Sequence, residues 1–387
     1  MNTINVNRRL ALKGIGVLGA TGALTACGGG SSSSSTPATA SIQYFTEPYM
    51  PAGSTEITGV RGIASSSDVY LTGINMDTTT TPTTNYGLLY RGPLLIPNVN
   101  SWNKIGPAKT INKAGGGSDT SSGLNFYGPN GGTTPGTIVV VGNYNLTGVS
   151  TAYGLLYQGA VDGSGTYTKI SPDNLTLGTV SSTIVHSNMN GYVVGNFNTS
   201  LDSASHAFIM AMGSSPTNPN TYTYTEIPLS VVTGGAASIT AYGIWYNSSL
   251  NNYTIVGGYS KVLGDNGLTT GYIVDWSPSA GFSNFTPLFY NNDSTTSKVS
   301  HVEGITTDNA GGYYLSVDWA QTSSTYPTGA ALVQVSRNTS GGFGTPAWTN
   351  FAFPGAAITS ANTVFEKNVL GVYANPAPTT PYLAVFP

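Results

Sequence analysis

The sequence predicts an all-β fold, a six-bladed β-propeller with four-stranded blades. Three observations carry this: the composition, an ordered triplet of strand-like runs that recurs along the chain, and one member of that triplet displaced to the opposite end. Charged residues make up only 7%, while Gly (50) and Tyr (24) are abundant in 387 residues. Long helices draw on Ala, Leu, Glu, Lys and Arg. Thr, Tyr and Val instead suit a pleated, half-buried surface, and Gly and Asn supply its turns. A chain of this length could hold two or three ordinary domains, but closed repeat architectures reach this size as one unit.

The repeat averages about sixty residues. Its first element is an apolar pair, usually a Gly, any residue, then usually an aromatic: Val140 to Tyr144, Val193 to Phe197, Ile255 to Tyr259 and Val369 to Tyr373, with weaker copies at Leu71 to Asn75 and Leu315 to Trp319. A second strand-like run follows each, at Tyr86 to Tyr90, Tyr153 to Tyr157, His206 to Met210, Gly271 to Asp275, Ala330 to Gln334 and Tyr382 to Phe386. Alternation and β-rich composition assign both as strands, and Asn190-Gly191 supplies hairpin turn chemistry before one of them. A third, aromatic-led run comes next, at Trp102 to Ile105, Tyr167 to Ile170, Tyr224 to Ile227, Phe285 to Leu288 and Phe351 to Pro354.

No third run follows the last copy, but a matching one, Tyr44 to Pro48, stands at the start of the repeat region. A propeller closes its ring in this way, the N-terminal strand becoming the outer strand of the last blade. Strands before each Gly element, such as Thr58 to Ile63, Ile239 to Tyr246 and Val299 to Ile305, bring each unit to four. Tandem sandwiches and an irregular β-solenoid are the alternatives.

The first forty residues carry an address. Arg8, Arg9 and Lys13 precede an apolar stretch from Ile15 to Ala26 that is too short to span a bilayer. Leu24-Thr25-Ala26-Cys27 resembles the bacterial lipobox, which implies lipidation at Cys27 and removal of residues 1–26 as a signal peptide. Asn7 to Lys13 resembles the twin-arginine export motif, with Asn7 and Ala11 as departures from it. Residues 27–40 read as the lipidated cysteine and a Gly/Ser-rich linker, and residues 41–387 as the propeller domain. Gly28 rather than Asp after the cysteine favours the outer membrane, so the expectation is a cell-envelope lipoprotein held at a membrane by its lipid. Loss of the three basic leader residues takes the formal net charge from −3 to −6. With no basic run, no nucleic-acid partner is expected. Cys27 is the single cysteine, so no intramolecular disulfide supports the fold.

Asn190 to Gly195, continuing to His206-Ala207-Phe208, resembles bacterial extracellular repeats in which a Gly-Val-Val-Gly element precedes His-Ala-Phe. The resemblance covers about twenty residues and implies an exported β-repeat protein; it assigns no functional residue.

No phosphate-binding Gly-rich loop, His-Glu-x-x-His, paired-cysteine site or Gly-x-Ser-x-Gly elbow occurs, and no cofactor or metal is expected. A site would have to be assembled from distant inner strands around the channel. Arg61, His186, His301 and Glu303 are the candidate ligand-binding residues, with Arg61-Gly62-Ile63 aligned on Glu303-Gly304-Ile305 so that a cation and a carboxylate face the channel from equivalent positions. Two imidazoles with Glu303 have the donor types of a metal site, but ordinary hydrogen-bonded histidines fit better. Asp275-Trp276 and Asp318-Trp319 invite comparison with a two-carboxylate glycosidase, yet they lie on non-equivalent strands. The functional expectation is a non-enzymatic surface platform for binding or adhesion to a glycan or protein ligand. The alternative is a propeller hydrolase acting on glycans at the channel mouth.

Overall fold

The computed structural model describes residues 41–46, 54–81, 83–95, 99–175, 178–262, 270–296, 298–321, 329–374 and 379–387. The leader, Cys27 and the linker lie outside the described residues, as do Glu47 and Pro48 of the expected closing run. Strand β1 (Gln43–Thr46) comes first in the chain but belongs to the last blade. Blade 1 holds β2 (Ser54–Gly62), β3 (Asp68–Asp77), β4 (Thr84–Pro93) and β5 (Trp102–Ile105). Next come two short strands, β6 (Thr110–Asn112) and β7 (Ser118–Thr120), before blade 2 proper: β8 (Gly123–Gly131), β9 (Ile138–Leu146), β10 (Val149–Gly159) and β11 (Gly165–Ile170). Blade 3 is β12 (Val180–Met189), β13 (Tyr192–Thr199), β14 (His206–Ala211) and β15 (Thr223–Ile227). Blade 4 is β16 (Ser238–Asn247), β17 (Asn252–Ser260), β18 (Thr270–Ser277) and β19 (Gly281–Leu288). Blade 5 is β20 (Lys298–Thr307), β21 (Tyr313–Gln321), β22 (Gly329–Val335) and β23 (Ala347–Phe351). Blade 6 is β24 (Ile358–Phe365), β25 (Asn368–Ala374) and β26 (Thr380–Val385), completed by β1.

The predicted closure is what forms. Strand β1 runs antiparallel to β26 with Tyr44 opposite Ala384 and Thr46 opposite Tyr382. Each inner strand packs on the next, and β24 packs on β2, so the ring is closed. The Gly elements occupy the second strand of their blades because that strand is covered on both faces; valines and aromatics there, such as Val140, Val141 and Tyr144, are fully buried. At fully buried side chains of this kind, removal of apolar area from water contributes about 1.5–3 kcal/mol each.

Two details differ from the sequence reading. The outer, fourth strand of blade 5 is Ala347–Phe351, not Phe351 to Pro354. Pro354 has no N–H to give a ladder, and Phe353 already turns away to donate its N–H to Thr359 Oγ1 (2.9 Å). Blade 2 is also extended beyond four strands: β6 pairs in parallel with β11, and β7 pairs with β6 around the Gly115 to Gly117 turn.

Every inner strand carries a bulge at the same height. The register against the second strand slips at Ile57/Gly59, Phe126/Pro129, Val185/Ser187, Ala241/Gly243, Val302/Gly304 and Ala361/Thr363. An extra residue in one strand re-aims its side chain. Thr58, Tyr127, His186, Tyr242, Glu303 and Asn362 thereby form one ring of buried side chains about the axis. Glycine follows the bulge residue in four blades, at 59, 128, 243 and 304, because the neighbouring inner strand lies too close for a side chain. A Cβ at Gly59 would overlap the Tyr127 carbonyl, and one at Gly128 the backbone of His186 and Ser187.

Polar bonds near this ring join every pair of neighbouring blades. Asn362 donates to Ile57 O (2.8 Å) and Thr58 to Phe126 O. Asn188 donates to Gly128 O (2.9 Å), and Ala241 N–H donates to Asn196 (2.7 Å). Thr240 meets His301 (3.0 Å), and Ala361 N–H donates to Asp318 (2.6 Å). Buried backbone groups at a bulge have lost their ladder partners, so these side chains satisfy what the bulge leaves open.

Candidate functional site

The bulges place the candidate residues. His186 and Glu303 are bulge residues of blades 3 and 5, and His301 stands two positions before Glu303 on the same inner strand. Their rings form a continuous stack: Tyr127 on His186 (centroids 5.3 Å), His186 on Tyr242 (3.8 Å, nearly parallel), and Tyr242 edge-on to His301 (4.4 Å). His301 Nδ1 then meets Glu303 Oε1 at 2.7 Å, with both groups buried. The structure thus brings three of the four candidates into one mid-channel group that fills the axis.

Two hydrogen-bond networks constrain the imidazoles. Asn196 Oδ1 accepts from the Ala241 N–H, so its Nδ2 must be the end facing His186 Nε2 (3.0 Å). That nitrogen of His186 is therefore the acceptor, and the ring keeps its proton on Nδ1. His301 is different. Its Nε2 faces Thr240 Oγ1 at 3.0 Å, and Thr240 Oγ1 also lies 3.0 Å from the Gly258 carbonyl and accepts the Gly258 N–H. Thr240 has one hydroxyl proton for two acceptors. Given to Nε2, it leaves His301 neutral with Nδ1–H donated to Glu303; given to Gly258 O, it requires Nε2–H as donor. The hydroxyl, imidazole and carboxylate line can hold its protons in more than one arrangement without leaving a group unmatched.

Arg61 is the exception, and its alignment needs correction. The bulge and its glycine show that Thr58-Gly59-Val60, not Arg61-Gly62-Ile63, is equivalent to Glu303-Gly304-Ile305. Arg61 stands three residues beyond the bulge ring, at the mouth where the inner strands end, and corresponds to Thr306. The two glycines misled the sequence alignment because Gly62 lies beside the Phe365 ring, a different close approach. The carboxylate at the His301 level of blade 1 is instead Glu56, which is buried.

The two tempting aspartates are both occupied. Asp275 accepts from Arg337 Nη1 (2.5 Å) and Nη2 (2.6 Å), from Thr254 (2.9 Å) and from Asn284 (2.8 Å). Asp318 accepts the Ala361 N–H and the Ser360 hydroxyl (2.8 Å). Among the described residues, no group of three or more His, Cys, Asp or Glu side chains is placed to hold a metal ion.

Sequence reasoning missed Thr58, Tyr127, Tyr242 and Asn362 of the ring, and Thr240. A usable signal existed for three of them and for Glu303: a residue before Gly within each inner strand, as in Thr58-Gly59, Tyr127-Gly128, Tyr242-Gly243 and Glu303-Gly304.

No protein-family profile and no curated protein sequence matches the chain. Solved structures do. A protein of unknown function from Dyadobacter fermentans superposes with a TM-score of 0.50 at 10% identity, covering 89% of this chain and 98% of its own. The α-L-arabinanase of Penicillium chrysogenum, complexed with arabinobiose, gives 0.46 at 14% identity over 85% and 92%. A GH43 β-1,3-galactosidase with galactodeoxynojirimycin gives 0.45 at 13% identity over 76% and 94%. The latter two are enzymes of glycans, and on this finding the expectation of a non-enzymatic binding or adhesion platform is corrected. At these identities the likeness concerns the fold, and no residue role passes from them to this chain.

Proposed function

We propose that the protein is a glycan-cleaving propeller enzyme whose proton-handling group is the line Thr240, His301 and Glu303. The single observation behind it is the buried imidazole–carboxylate contact of 2.7 Å whose other nitrogen meets the hydroxyl of a partly exposed threonine. A carboxylate orients the imidazole and stabilises its protonated form, and the imidazole can then give a proton to a leaving oxygen or take one from water. Glycosidic cleavage needs a second carboxylate on the opposite side of the bond. Glu56, at the same height in blade 1, is the inner-strand residue we assign to that place. The substrate enters at the mouth where the inner strands begin, since the bulge ring fills the channel below it.

The test is reducing-end release from a panel of arabinan and galactan, a range suggested by the activities of the arabinanase and galactosidase neighbours. His301→Gln and Glu303→Gln are each expected to lower turnover about a hundredfold or more while melting near the wild-type temperature. Full activity in both variants, or no release from any polysaccharide by the wild type, would sink the reading.

We also propose that Cys27 carries lipid and tethers the enzyme to the outer membrane, on the strength of the lipobox resemblance. Cys27→Ala is expected to move the protein from the membrane pellet to the soluble fraction, because acyl chains supply about 0.8 kcal/mol per buried methylene and one thiol bears the attachment. Pelleting as before would refute the tether.

A further inference from the structure

At the mouth where the inner strands end, a guanidinium lies across the channel with no counter-charge among the described residues. Arg61 of blade 1 reaches Asn188 O (3.5 Å) and Met189 Sδ (3.7 Å) of blade 3, and its Cζ lies 4.8 Å from the Trp245 ring centre of blade 4. Both polar contacts are long and both partners are neutral. Its Nε is buried without a hydrogen-bond partner, and among the described residues no carboxylate lies within ion-pair distance of the group. The equivalent positions of the other blades are Asn130, Met189, Trp245, Thr306 and Phe365, none of them charged.

A guanidinium carries five N–H donors in a planar fork that matches a carboxylate. Here at most two are spent, on weak acceptors. Burial pulls the guanidinium down to about 10, so the group stays charged at neutral pH but is held where charge is disfavoured. A half-buried cation whose fork meets no carboxylate is held at a cost that an anionic partner would relieve. In a chain with 7% charged residues, nothing described at this mouth does so.

We infer that Arg61 is the anchor of a second binding site, one that takes the carboxylate of an acidic sugar with Trp245 beside it. Arg61, Asn130, Met189 and Trp245 are all partly exposed, so the site is open to a ligand. Trp245, partly exposed beneath the guanidinium, adds apolar surface for a sugar ring beside the fork, and the Asn130 amide, which donates to Asn188 O (3.3 Å), stands by for a ring hydroxyl. The site lies on the far side of the bulge ring from His301 and Thr240. It therefore stands or falls apart from the catalytic reading, as binding against turnover.

The experiment is calorimetric titration of the full chain with trigalacturonate, with galactotriose as its neutral counterpart and sodium acetate as competitor. Trigalacturonate is expected to bind, more weakly as salt is raised, and galactotriose not to bind. In Arg61→Gln its affinity should fall about tenfold or more, the loss of a charge-assisted fork. Arg61→Lys keeps the charge and serves where the glutamine variant folds poorly; it should lose several-fold, because an ammonium cannot bind bidentately. The inference is overturned if wild type does not bind trigalacturonate, if galactotriose binds equally well, or if both variants bind as wild type does. Displacement by equimolar acetate would also overturn it, as the mark of a simple anion site with no sugar recognition.

Discussion

Deletion of residues 41–46 is expected to lower the stability of the whole propeller by about 5 kcal/mol, a large part of the 5–15 kcal/mol typical of a folded domain. Strand β1 pairs four residues with β26, and interstrand hydrogen bonds contribute about 1 kcal/mol each. The Tyr44 ring adds packing against Phe351 (centroids 6.5 Å) and Phe353 (5.6 Å), and burial raises its phenol pKa above the ordinary value. Without β1 the outer edge of β26 becomes a row of unmatched backbone groups, and Tyr382 and Phe351 lose their cover. The effect is global because, among the described residues, β1 is the strand that ties the N-terminal end of the chain into the last blade. Denaturant unfolding followed by circular dichroism measures it. A midpoint equal to that of the intact chain would show that blade 6 is stable with three strands and that the closure is dispensable.

Asp275→Ala is expected to cost about 3–5 kcal/mol, the range for leaving one member of a buried ion pair without the other. Asp275 is fully buried and takes both Arg337 amino groups in a bidentate pair. The guanidinium is further fixed by Tyr313 Oη (2.9 Å) and Gly341 O (2.9 Å), and it lies over the Phe343 ring at 4.2 Å. Burial alone would pull the Arg337 pKa down, but the hydrogen bonds to Asp275 and Tyr313 outweigh it and the value is raised. Thr254 Oγ1 donates its one proton to Asp275 and lies 2.8 Å from the Tyr313 hydroxyl, so the network couples blade 4 to blade 5. Removing the carboxylate strands the cation between blades. Asp275→Asn, which retains the hydrogen bonds of one oxygen, should cost less; equal stability of the alanine variant and wild type would show that Arg337 finds water instead. The same comparison separates this aspartate from catalysis, since activity per folded molecule should be unaffected.

The architecture was legible in the chain because its causes are local and repeated. Alternation of Val, Ile and Tyr with polar residues specifies strands, Asn-Gly and Gly-rich turns specify hairpins, and a triplet recurring with one member displaced to Tyr44 can be satisfied by a ring that closes with β1 on β26. Fold class and blade number follow from patterns within about sixty residues, and closure from the one member of the repeat displaced to the other end.

The site was legible only in part. His186, His301 and Glu303 could be selected as the rare ionisable groups on inner strands, but which side chain points at the axis is decided by a one-residue bulge, and a one-residue slip in a strand reverses the face of every side chain beyond it. Arg61 was therefore matched to the wrong partner: counted from Gly62 it faces Glu303, whereas counted from the bulge glycine Gly59 it lies at the other mouth. Thr240 and Arg337 carried no mark in the sequence, because their roles come from neighbours 61 and 62 residues away, His301 and Asp275. Local pattern determined the strands; the tertiary structure decided which side chains meet, since contact across a closed ring depends on register and curvature that only the assembled blades establish.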